Sequence, residues 1–307
     1  MDPTLFYLPP KRYDINMLSY TIIETDNEIQ QLITGWKNDG LTSIAMDFEG
    51  EFNLHVYGEH LCLVQLYDTR SFYLIDPLKV SKAGLALLFE DGELEKIMFD
   101  CASDASLVRK EFGLQIRNVW DVRIPALALG FQGNYTSLVE RNLGITIQTS
   151  GSKKKNQMTN WLKRPLGNEQ IQYALLDVAY LHDLKSSLEN ECQAEGKTKE
   201  ILAQMKMAGK EKNKPKPGWM KICNWKKLQP EEKVYLKYFF IARDTLARQW
   251  NVPPAKILDK RKLVQLCKAV PTSETEMSAV LSTAPKLLPL MMVAKQRAEE
   301  ELKSRQR

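Results

Sequence analysis

The 307-residue chain is 44% apolar and 26% charged, an ordinary soluble composition that supports about two domains and a sizeable core without covalent staples. Its five cysteines, Cys62, Cys101, Cys192, Cys223 and Cys267, are scattered and never fall in Cys-x-x-Cys spacing. That excludes a disulfide framework and a zinc knuckle and predicts reduced thiols in a cytoplasmic protein. The net charge of +5 is unevenly spread: residues 1–190 carry 18 Lys/Arg against 25 Asp/Glu, and residues 191–307 carry 25 against 13. An acidic first part suits a metal and a basic second part suits a polyanion such as nucleic acid; solvated helix faces plus a Lys-rich linker are the plainer account of the basic part. The N-terminal stretch lacks the apolar core of a signal peptide and no run approaches a membrane span, so no membrane partner is expected.

In chain order, Tyr20–Thr25 alternates like an edge strand, and Thr25 or Asp26 can cap a helix through Ile29, Leu32 and Trp36. Ser43–Phe48 has the apolar density of a buried strand, and residues two apart share a face, so Asp47 and Glu49 look the same way. Two anions on one face are tolerated where cations sit between them or where the strand end meets solvent; the first case gives hard oxygen ligands for Mg²⁺ or Mn²⁺. Leu61–Tyr67 and Ser71–Pro77 read as two further strands joined by a turn at Asp68–Arg70. Helical and strand patterns then alternate: a helix through Leu85 and Leu88, a strand at Lys96–Phe99, a helix from a Ser103 cap to Phe112, and a strand at Asn118–Asp121. The sheet is therefore predicted to be mixed. Asp104 opens its helix just past a strand's C-terminal end, where open sheets gather ligands and where a plain helix-start acid is also favoured. Asp100 and Asp121 end neighbouring strands as supporting acids.

The polar loop at 151–166 carries Lys154, Trp161 and Arg164, residues suited to phosphates and an unstacked base; Trp161 anchoring the loop to the core is the alternative. Asn168 can cap a helix whose stripe is Ile171, Ala174, Leu175 and Val178, with Tyr173 and Asp177 four apart on an adjacent face. Asp177 has apolar neighbours on both sides, so a cation partner is the economical inference.

Taken together, Asp47-x-Glu49, Asp104, Tyr173-x-x-x-Asp177 and the lead-in Trp161-x-x-Arg164-Pro165-Leu166 resemble the DEDD superfamily of 3′–5′ exonucleases, and within it the ribonuclease D branch with Tyr in the last motif. The resemblance covers about residues 20–190. It implies a ribonuclease H-like mixed sheet flanked by helices, in an α/β exonuclease domain spanning 1–194. It also implies hydrolysis of RNA from its 3′ end to 5′-monophosphates with two divalent cations, Mg²⁺ or Mn²⁺, on substrates such as tRNA-like or other structured precursors. Asp47 would bridge both ions, Glu49 and Asp177 would complete the water-activating site, Asp104 would hold the second ion, and Tyr173 would orient the water or take its proton. Two positions depart from the family pattern: Gly50 stands where an apolar residue is usual, and Phe99 where His often ends the strand. Phe52 can stand in for the first. A DNA-directed exonuclease would use the same ligands, and a non-catalytic binding scaffold is the rival from another class, although anions facing a phosphate backbone would weaken a mere binder.

Residues 195–227 read as a charged, proline-punctuated linker. Beyond it, residues 228–300 are all helix: Pro230 opens one, Asp259 caps another, Ser273-x-x-Glu276 is a capping box, and a last helix runs from about Ala284 into the charged tail 301–307. This stretch resembles one small all-α HRDC module, which implies a nucleic-acid grip. No obligate protein partner is readable.

Overall fold

The computed structural model describes residues 18–147, 158–210 and 216–305. It divides into two compact units, Met1–Gly50 with His60–Lys212, and Glu51–Glu59 with Asn213–Arg307. The first holds β1 (Tyr20–Ile23), α1 (Asp26–Asn38), β2 (Ser43–Phe52, its last two residues in the other unit), β3 (Glu59–Tyr67), β4 (Phe72–Ile75), α2 (Lys82–Phe89), β5 (Glu95–Met98), α3 (Ala102–Phe112) and β6 (Val119–Asp121). Five helices follow: α4 (Arg123–Ala128), α5 (Tyr135–Leu143), α6 (Asn168–Ala179), α7 (Leu181–Ala194) and α8 (Thr198–Met205).

The strands form one sheet in the order β1-β4-β3-β2-β5-β6. The pairs β1/β4, β2/β5 and β5/β6 are parallel and β3/β4 is antiparallel, so the sheet is mixed, as the alternation of hairpin and helical connections requires. The β3–β4 turn is held by Asp68, whose Oδ1 accepts the N–H groups of Arg70 at 2.9 Å and Ser71 at 2.7 Å. Thr25 caps α1 through a reciprocal box with Glu28.

Strand β2 divides the core. Ile44, Met46 and Phe48 join the cluster that buries Ile29, Trp36, Leu85 and Leu88, while Ala45 faces the other cluster with Ile171, Ala174, Leu175 and Val178 of α6. Period two then carries Asp47 and Glu49 to the α6 side.

Three local expectations are corrected. Helix α3 begins at Ala102 after Cys101, with no side-chain cap, so Ser103 lies inside it. Helix α6 is preceded by Gly167, whose N–H donates to Gln170 Oε1 at 3.0 Å, so Asn168 is its first residue rather than its cap. The stretch expected to be a linker contains α8, whose Ile201 and Met205 are buried, and two short 3₁₀ turns, Gly218–Lys221 and Trp225–Lys227. The first unit therefore runs on to Lys212.

The second unit is all-α apart from the 51–59 turn: α9 (Pro230–Gln249), α10 (Pro254–Ile257), α11 (Lys260–Lys268), α12 (Glu274–Val280) and α13 (Leu288–Arg305). Leu236, Phe239, Leu246, Leu263, Met277, Leu287 and Met291 form its core, a small helical module consistent with the HRDC-like class. Asp259 and Ser273 cap their helices. No helix among the described residues is long and apolar enough to cross a membrane.

Candidate active site

Two periodicities build the site. The strand period turns Asp47 and Glu49 to one face of β2, and the helix period turns Tyr173 and Asp177 of α6 toward that face. One carboxylate oxygen each from Asp47, Glu49 and Asp177 lies within 4.8 Å of the others. Glu49 is buried, and its carboxyl is pushed well above the usual range by burial and then by the charges of Asp177, Asp47 and Asp104. Asp104 thus stands outside the trio but close enough for its charge to act on it. Burial raises Asp104 itself to about 7, with Asp100 and Asp121 adding repulsion. The Tyr173 phenol is likewise raised, by burial first and then by Asp177, Glu49 and Asp47. Four carboxyl groups and a phenol therefore crowd into one acidic cluster whose members push one another toward their neutral forms.

The turn that delivers Asp104 is fixed by Asp121. Its carboxylate accepts the N–H groups of Asp100 at 2.8 Å, Cys101 at 3.0 Å and Arg123 at 2.9 Å, and Asp100 sits in the left-handed region at φ 57. Asp121 is thereby a structural acid. Phe99 carries the Arg123 guanidinium 5.4 Å over its ring.

The candidate nucleic-acid contacts divide differently. Lys154 lies outside the described residues. Trp161 is 1% exposed, 6.3 Å from the Tyr173 ring by centroid, and packed in the α6-side core. That burial fits the anchoring reading and corrects the base-stacking one. The Arg164 guanidinium is similarly consumed internally: Nε and Nη2 donate to the two Asp76 oxygens at 2.8 Å each, Nη2 to Cys62 O at 2.6 Å and Nη1 to Trp161 O at 2.7 Å. The expectation of a phosphate contact is corrected, because a fork saturated by the fold has little left to offer a phosphate.

Tyr135 was missed in the sequence. Its hydroxyl donates to Leu176 O at 3.0 Å and accepts the Tyr180 N–H at 3.3 Å, which clamps the end of α6 on both sides of Asp177. A tyrosine one residue after a helix-capping asparagine carries no local sign of that role.

A family model described as 3′–5′ exonuclease matches residues 20–193. The chain belongs to that family. As a 3′–5′ exonuclease it is a hydrolase. Ribonuclease D of Escherichia coli (strain K12) is 26% identical over 269 residues, covering 86% of this chain and 70% of the relative. Ribonuclease D of Haemophilus influenzae is 29% identical over 245 residues, covering 77% and 60%. Among solved structures, Escherichia coli RNase D, described as an exoribonuclease involved in structured RNA processing, superposes with a TM-score of 0.70 at 26% identity, over 91% of this chain and 76% of that one. The catalytic core of RRP6 from Trypanosoma brucei gives 0.71 at 20% identity, over 94% and 83%, a likeness of fold.

Proposed function

We propose that this exonuclease acts on RNA, removing nucleoside 5′-monophosphates one at a time from a 3′ end with the help of two divalent cations, Mg²⁺ or Mn²⁺. The observation that carries the reading is the convergence of Asp47, Glu49 and Asp177 within 4.8 Å, with Asp104 and Tyr173 beside them. Hard oxygen donors massed in a half-buried, mutually repelling group fit such ions well. Asp47, Glu49 and Asp177 would hold the ions, with Asp104 beside them as a further ligand. When bound, the ions would lower the pKa of the attacking water and offset charge on the leaving 3′ oxygen. The chain's own share is to aim that water: the Tyr173 hydroxyl, kept protonated by burial and the neighbouring acids, orients it.

The name of the relatives above, ribonuclease D, and the description of one as involved in structured RNA processing support RNA over DNA; the proposed substrates are tRNA-like or other structured RNA precursors. The helical unit is proposed as an HRDC-like grip on that RNA. The proposed compartment is the cytoplasm, supported by five free thiols.

The test is purified protein with Mg²⁺ or Mn²⁺ on a 5′-labelled single-stranded RNA and its DNA copy. Stepwise shortening of the RNA from its 3′ end, a stall at stable duplex and a largely uncut DNA are expected. Faster DNA cleavage would move the protein to a proofreading or repair role, internal cuts would remove the exonuclease mechanism, and no cleavage of either strand would favour a binding scaffold.

A further inference from the structure

A second cleft opens in the first unit, at the end of the sheet opposite the acids. It encloses about 900 Å³ between the 115–120 segment, α3 and the end of α8. Ser43 of β2 pairs with Glu95 at the rim of this cleft, and Asp47 lies four residues further along the same strand. At about 3.3 Å per residue the two sites are roughly 13 Å apart along β2 alone.

The lining is cationic over an apolar floor. Arg109, Arg117, Lys206 and Lys210 surround it; Leu202 offers exposed carbon surface, and the buried Trp120 and Met205 back it. Glu95 is the single carboxylate among the described lining residues, and Lys185 already pairs with it. Arg109 reaches the Gly209 carbonyl; Arg117, Lys206 and Lys210 carry exposed side chains. The walls are fixed from within. The buried Lys96 ammonium donates to Arg117 O at 3.1 Å and to Asp91 O, and Asn118 Nδ2 donates to Glu93 O at 3.3 Å. Gly209, at φ +70, approaches so closely that a Cβ would sit 3.3 Å from Ile116 O.

A cleft near the top of the size range for small-ligand pockets, with positive groups distributed around it rather than converging on one point, matches several phosphates in a row. We propose that this cleft is an exosite for single-stranded RNA, holding a stretch of the substrate strand away from the acids through its phosphates. The proposal rests on the RNA reading above and goes beyond it in assigning a second RNA-binding surface to the nuclease unit itself.

The experiment compares the full chain with the triple variant Arg117→Glu, Lys206→Glu, Lys210→Glu. Fluorescence anisotropy of a labelled 20-nucleotide single strand is measured in chelator, where nothing is cleaved, and turnover of a dinucleotide is measured with Mn²⁺. At about 0.7 counterions per phosphate on single strands, three lost contacts should flatten the log–log salt slope by about 2 and weaken binding by about tenfold or more. Dinucleotide turnover should stay within about twofold, since a dinucleotide at the acids does not need a remote surface. The conservative triple variant Arg117→Lys, Lys206→Arg, Lys210→Arg should bind like the parent. If the Glu variant melts early, Arg117→Gln with Lys206→Gln and Lys210→Gln is read instead, with the same direction expected. Unchanged 20-mer affinity and slope would overturn the exosite. So would displacement of the 20-mer by millimolar 5′-AMP from the parent but not from the variant, which would make the cleft a mononucleotide site. Because binding is read without metal, absence of cleavage in the parent would count against the catalytic reading alone.

Discussion

Replacing Arg164 with Ala separates an anchoring role from an RNA contact. The guanidinium makes a bidentate pair with Asp76, whose side chain is only 6% exposed, and holds Cys62 O and Trp161 O as well. Its loss leaves Asp76 with the Leu78 amide at 3.1 Å and strips the donor from two carbonyls. Breaking a buried pair costs about 3–5 kcal/mol, but the Arg164 side chain is a quarter exposed and water can enter behind it, so about 2–4 kcal/mol is expected. For a unit of this size each kcal/mol lowers the melting temperature by about 2–4 °C, which predicts a fall of roughly 5–15 °C in a thermal melt at pH 7. The pH dependence has a definite sign. Burial pushes the Asp76 carboxyl up, yet the hydrogen bonds from Arg164 and Leu78 and the Arg164 charge hold it below the usual range. A depressed carboxyl stabilises the fold above its unfolded pKa, and that contribution is lost as pH falls through the folded one. The gap between parent and variant should therefore narrow below about pH 4. An unshifted melt combined with weaker RNA binding would refute this reasoning and return Arg164 to the phosphate.

Tyr173→Phe should lower turnover by about 10²- to 10⁴-fold while leaving cation-induced stabilisation in place; unchanged turnover would reduce Tyr173 to packing. Asp47→Asn or Asp177→Asn should abolish activity in a folded protein, and Mn²⁺ should raise the melting temperature of the parent but not of either variant, with chelator reversing the gain. A variant that keeps both properties would remove that acid from the site. Buried Lys96 is pushed down to about 8, chiefly by burial. Below pH 8 both folded and unfolded chains hold its proton, and between about 8 and 10.5 only the unfolded chain does, so this group adds stability with rising pH, by about 3 kcal/mol in all. Urea unfolding of parent and Lys96→Met across that window should show the difference growing in favour of the parent; a flat difference would refute it.

The convergence of Asp47, Glu49 and Asp177 was legible because each of the three sits on a strong local period. Asp47 and Glu49 alternate with Met46 and Phe48 of the opposite core face, and Asp177 follows Tyr173 by one helical turn. The fates of Trp161 and Arg164 were not legible locally. Whether a Trp-x-x-Arg stretch points out or in is decided by Asp76, 88 residues earlier in the chain, and both readings cost the same in sequence terms. Helix α8 escaped notice for a different reason: its buried face rests on Ile201 and Met205, four apart in a short segment where exposed Lys, Glu and Gln predominate. Glu51 continues the strand alternation of Asp47 and Glu49 and invites the same interpretation. It instead turns into the 51–59 loop, where it is buried and accepts the His55 N–H at 2.9 Å and contacts His55 Nδ1 at 2.8 Å. Alternation sets the direction of a side chain, and only the chain beyond the strand decides what meets it.

The cluster of acids bears on stability as well as chemistry. Glu49 is pushed far up by burial and three neighbouring carboxylates, and Asp104 reaches about 7. Such groups repel one another in the folded chain and are relieved of that repulsion when it unfolds, so the cluster opposes folding. The surrounding structure holds it in place regardless: α6 packs through Ile171, Ala174, Leu175 and Val178, Tyr135 clamps its end, and Asp121 fixes the turn before α3. None of these supports needs a cation to form. The acids are therefore pre-positioned, and an entering cation meets ligands whose ordering cost the fold has already met, while the raised Glu49 and Asp104 carboxyls must release their protons to receive it.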